Sequence, residues 1–98
     1  MTASEWLLQH TSAGPVRLRA RVMEFWEGAP AAGPLAERLG EAGRRALAGV
    51  LAHPGDRDAA LDLLAADALI TLALLAQAED APEELGSFAA ALVRASAA

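Results

Sequence analysis

Apolar residues recur along this chain at spacings of three and four, the period of a helix with one buried face, and no run alternates as a half-buried strand would. The pattern predicts five helices, over residues 3–12, 15–27, 34–53, 57–79 and 82–96, in an all-α bundle of four to five helices around a central apolar helix. Thr2 followed by Glu5 is the signature of a capping box, which starts the first helix. Pro15 opens the second, where Leu18, Val22, Phe25 and Trp26 keep helical spacing, and Gly28 to Pro34 forms an extended connector with two prolines.

The third helix places Leu35, Leu39, Ala42, Ala46 and Val50 on its buried side. Gly40, Gly43 and Gly49 interrupt it at a cost of ~1 kcal/mol each relative to alanine, so a close helix crossing is the expected reason for them. Pro54-Gly55 makes a turn, after which Asp56 is expected to cap the fourth helix, as Asp80 is the fifth. The fifth helix carries Leu85, Phe88, Ala89 and Leu92 on one face and is expected to fray over Ala95 to Ala98.

The fourth segment is apolar on more than one side. Leu61, Leu64, Ala68, Leu72 and Leu75 form one stripe, and Leu63, Ile70 and Leu74 form another nearly opposite. A helix that is apolar all round is a buried one, so this helix is expected to be the axis of the fold, with Leu64, Ala68, Leu72 and Leu75 its most buried residues. Thr71 interrupts the apolar run without breaking the helix.

Composition agrees with this picture. The 98 residues suffice for one hydrophobic core, so a single helical domain spans 1–98. Twenty-six alanines and sixteen leucines make up most of the apolar content, which implies a close-packed, leucine-built core. Trp6, Phe25 and Trp26 lie early in the chain, so the first two helices should meet the core through rings.

The net charge of −5, with scattered arginines and no lysine, offers no basic face for a phosphate backbone, and nucleic acid is not an expected partner. Met1 to Ala13 lacks the pattern of a secretory signal. The longest apolar run, Ala68 to Ala76 with Thr71 inside it, is shorter than the ~20 residues of a membrane span. A soluble cytoplasmic protein without membrane contact is therefore expected.

Candidate chemistry is sparse. Without cysteine there is no thiolate nucleophile or Cys-ligated metal. His10 and His53 have no His, Glu or Asp at the helical spacing that builds a metal site, so no metal or cofactor is expected. His10 is read as a packing residue one turn after Trp6, and His53 as an imidazole near the terminal carbonyls of the third helix.

Asp62 and Asp67 interrupt the apolar fourth helix, with Asp62 read as a boundary residue reaching water. A carboxylate at Asp67 needs a partner if buried, and Arg19, on the inward side of the second helix, is the complementary oddity. Either Arg19 and Asp67 pair, or the Arg19 stem lies over Trp26 with its head in water. Two functions follow as expectations: a non-enzymatic interaction module that forms a homodimer through Leu63, Ile70 and Leu74, or a binder of a small apolar molecule between helices, with Arg19, His10 or Asp67 fixing it.

Overall fold

The computed structural model describes residues 1–97 and contains α1 (Ala3–Thr11), α2 (Val16–Gly28), α3 (Leu35–Ala52), α4 (Ala59–Asp80) and α5 (Leu85–Ala97), with a 3-10 turn at Pro82–Glu84 before α5. The chain is 80% helical with no strand among the described residues, as the periodicity predicts. The capping box at α1 is formed: the Glu5 amide donates to Thr2 Oγ1 at 3.1 Å, and the Thr2 amide donates to Glu5 Oε2 at 3.5 Å. The connector after α2 ends at Gly33 and the α3–α4 turn contains Gly55, with φ of +88° and +86°, a left-handed conformation that favours glycine at both.

The two aspartate caps do not form. Asp58, not Asp56, stands at the N-cap of α4, and its side chain makes no capping bond. Asp56 accepts the Ala59 amide through its backbone carbonyl at 3.0 Å. Asp80 is the last residue of α4, and the 3-10 turn begins behind Ala81. Proline at the head of that turn has no amide needing a cap, which removes the need for the aspartate. His53 closes α3 through its own amide, donated to Gly49 and Val50 carbonyls, while its ring is exposed. Helix α5 continues through Ala97, and Ala98 lies outside the described residues.

Helix α4 packs against α2, α3 and α5, and its interface with α3 is the most extensive in the molecule. Its buried face consists of Ala65, Ala66, Leu69, Ala73, Ala76 and Gln77, opposite Leu39, Gly40, Ala42, Gly43 and Ala46 of α3. This corrects the expected set: Leu64 is 55% exposed and Leu75 39%, and Ala68 and Leu72 are half-buried. Small residues decide the contact, since two helices approach most closely where neither presents a bulky side chain, and larger ones are displaced to the edges.

The expected close crossing sits at Gly43, where a Cβ would lie 2.8 Å from Ile70 Cγ1, and at Gly40, where it would lie 3.1 Å from Leu92 Cδ1. Gly49 has nothing within 4 Å and no packing reason. Helix α4 spans 22 residues with a mean hydropathy of 2.0 over its most apolar window, within the range of a membrane span by length and composition, a property that the broken apolar run in the sequence conceals. Here it is the core helix of the bundle, with one face buried and the other open.

The early rings act as expected. Leu7, Val22 and Trp26 are in the core, and Trp6, Phe25 and Phe88 pack against it. Trp26 Nε1 donates to Ser4 Oγ at 3.2 Å and Trp6 Nε1 to Glu79 Oε1 at 3.2 Å, which fastens α1 to α2 and α4. Gln77, the one buried polar residue among the described residues, donates from Nε2 to the Ala81 carbonyl and so satisfies the chain just past α4.

Candidate functional site

Of the recesses that border α4, two lie along its middle turns. The first is a cleft of about 270 Å³ between α4 and the α1–α2 pair. Its apolar lining comes from Leu18, Val22, Ala68 and Leu72, and its polar groups from His10, Thr11, Arg19, Asp67 and Thr71. Each polar group arrives by simple helical geometry: Asp67 and Thr71 are one turn apart on α4, and His10 and Thr11 end α1. Gly14, in the turn to α2, lies beside the Arg19 stem, at a distance where a Cβ would make ordinary contact with Arg19 Cγ, 3.5 Å away.

Arg19 and Asp67 therefore share one site, but they do not pair: no ion pair within 4.0 Å joins them. Arg19 Nε is shut off from solvent without an acceptor, while Asp67 is exposed. The ion pair between α2 and α4 forms instead at Arg21 and Asp62. Arg21 Nε donates to Asp62 Oδ1 and Nη2 to Oδ2 at 3.2 Å, with the Asp62 side chain only 16% exposed. Asp62 is thus a pairing residue rather than a free boundary carboxylate, and these bonds, with a further one to Glu24, raise the Arg21 pKa above its usual value.

The cation over the Trp26 ring comes from another helix. That ring is covered by the Arg38 guanidinium at 4.1 Å, because α3 rather than the same helix presents a cation to its face. His10 stacks on Trp6 with ring centroids 3.9 Å apart and directs Nδ1 to the Trp6 carbonyl at 2.8 Å. A carbonyl can only accept, so Nδ1 carries the proton and a neutral ring leaves Nε2 as an acceptor.

The second recess is an open groove of about 400 Å³ between α3, α4 and α5. Leu47, Ile70, Leu74, Leu92 and Val93 line it, together with Ser96, whose hydroxyl is already donated to the Leu92 carbonyl at 2.9 Å. Two of the three residues singled out as an interface, Ile70 and Leu74, are therefore half-buried within the chain by α3 and α5. The third, Leu63, shares their face of α4 but stays 50% exposed. Val93, on the rim, is 69% exposed.

Comparison with family models, curated proteins and solved structures gives no match. Function has to be read from the residues alone. Sequence reasoning missed Val93 and Leu47 because the groove is made by three helices, and no single-helix pattern reveals a surface of that kind. Among the described residues no three His, Asp or Glu side chains gather as a metal-binding group.

Proposed function

We propose that this chain is a non-enzymatic helical interaction module of the cytoplasm that pairs with a second copy of itself through the α3–α4–α5 groove. The observation that carries the reading is the groove: its walls are apolar, its one hydroxyl is internally satisfied, and a large exposed side chain, Val93, stands on its rim. A surface with both a hollow and a protruding apolar side chain is self-complementary about a two-fold axis, so the Val93 of each copy can enter the groove of the other. Leu63 extends the same apolar strip along α4.

Light scattering coupled to size exclusion tests this at about 100 µM, well above the micromolar Kd of a modest interface. The wild-type chain is expected to be a dimer, and Val93→Glu a monomer that keeps its helical folded state, because Val93 contributes little to the monomer core. A monomeric wild type, or a dimer indifferent to both Val93→Glu and Leu63→Glu, refutes the reading. Ile70→Glu is unsuitable as a probe, since Ile70 packs on Gly43 and its loss would unfold the monomer itself.

A further inference from the structure

We infer that the cleft between α2 and α4 binds a small zwitterion, specifically an α-amino acid with an aliphatic side chain. The inference does not rest on self-association. It starts from the two charges that the fold places in the cleft and leaves apart. Arginine stays protonated at every relevant pH, and the Nε–H of Arg19 is buried with no acceptor. That Nε–H is closed to solvent and to a ligand alike, so what the cleft meets is the terminal guanidinium, which has no ion pair among the described residues and whose N–H fork a carboxylate matches best.

Across the same cleft the Asp67 carboxylate has no cation within 4.0 Å. Separated, unneutralised charges of opposite sign on the walls of one recess are complementary to a dipolar molecule. A simple carboxylate would satisfy Arg19 and be repelled by Asp67, whereas an α-amino acid offers its carboxylate to Arg19 and its ammonium to Asp67. The Thr71 hydroxyl and His10 Nε2 add neutral acceptors on the same walls.

The rest of the cleft selects the side chain. Leu18, Val22, Ala68 and Leu72 supply an aliphatic lining without further charge. The volume of about 270 Å³ has room for a small molecule with a branched aliphatic side chain such as leucine. Glycine would leave the lining wet, and an acidic or basic side chain would lose hydration there.

The test is an amide chemical-shift titration of the full chain with L-leucine, 4-methylpentanoate (no ammonium), 3-methylbutylamine (no carboxylate) and glycine (no side chain). L-Leucine is expected to give saturable shifts centred on residues 10–22 and 67–72. Each of the other three should bind at least roughly tenfold more weakly, the loss expected for one charged contact or for the aliphatic burial. Arg19→Met and Asp67→Asn should each weaken leucine by a similar factor, and the analogue comparison on the wild-type chain decides the matter even if a variant folds poorly. No saturable shift with leucine, or binding of either single-charge analogue as tight as leucine, overturns the inference.

Discussion

Alanine at Gly43 and at Gly49 should move stability in opposite directions, although both substitutions lie in the same helix. Alanine favours a helix over glycine by roughly 0.5–1 kcal/mol. At Gly49 nothing stands within 4 Å of the new methyl group, so the gain is kept, towards the lower figure because the residue is in the last turn of α3. At Gly43 the methyl carbon would meet Ile70 Cγ1 at 2.8 Å, and Ile70 N and Leu69 Cβ at 3.3 Å. The Ile70 side chain can rotate away, but the other two atoms move only with α4. Relief therefore requires α3 and α4 to separate along a seam built from alanine and glycine, where every contact is short. Overpacking of this kind costs ~1–3 kcal/mol, so Gly43→Ala should be net destabilising by roughly 0–2 kcal/mol.

The difference between the two variants gives the packing cost to within roughly 0.5 kcal/mol, the amount by which the propensity gain can differ between mid-helix and the last turn. Urea titration followed by far-ultraviolet ellipticity measures it, with an unchanged m-value showing that the folded and unfolded states keep their compactness. In thermal melts each kcal/mol corresponds to ~4–8 °C for a domain of this size. If Gly43→Ala proves as stable as Gly49→Ala, the α3–α4 seam is not close-packed and the account of α4 as the core helix fails.

Leu69→Ala should cost ~2–5 kcal/mol because Leu69 is fully buried, whereas Leu64→Ala, at 55% exposure, should stay within about 0.5 kcal/mol; equal losses in denaturation would reverse the assignment of the buried face. A double-mutant cycle on Arg21→Met and Asp62→Asn should give a coupling of ~1 kcal/mol, and the same cycle on Arg19→Met and Asp67→Asn about zero, so comparable couplings would place the second pair in contact. Glu41, hydrogen-bonded to Arg44 and then Arg45, has its pKa lowered from 4.5 to about 2. A depressed folded pKa gives stability that is present above the usual value and lost as pH falls from 4.5 through about 2. With about a third of each partner exposed, Glu41→Gln should cost no more than about 1 kcal/mol at pH 7 and nothing near pH 2, and a pH-independent difference between variant and wild type would contradict this.

The helices were legible because each has an apolar period that only a helix can satisfy, and their ends agree with the sequence to within two residues at Pro15, Gly28 and Pro54. The buried face of α4 was not legible from residue size. Leu64, Leu72 and Leu75 carry more apolar area than Ala65, Ala73 and Ala76, yet the alanines face α3, because Gly43 on the opposing helix marks where the two backbones meet, while Gly40 receives Leu92 of α5. Gly43 was the signal, and the stripe of Ala65, Leu69, Ala73 and Ala76 was its complement. Charge pairing was less legible still. Arg19 and Arg21 point to nearly opposite sides of α2 and flank α4 from either side, and nothing within α2 alone says that only Arg21 finds a carboxylate within reach.

The same displacement bears on function. Helix α4 needs one apolar face to serve as the core helix, and small residues fill it. Leu63, Leu64 and Leu75 are then surplus to the monomer: at these exposed positions Glu, Gln or Arg would keep the helix and lower the apolar surface. Single exposed leucines are ordinary, but here an exposed Leu63 continues a face whose next members, Ile70 and Leu74, line an apolar groove beside an exposed Val93. A contiguous strip running across two helices is a surface that a partner would bury, and the hollow and the knob on it match each other. The charged cleft lies on another side of α4, where Asp67 and Thr71 stand, so a second copy seated in the groove leaves Arg19 and Asp67 open to a small ligand.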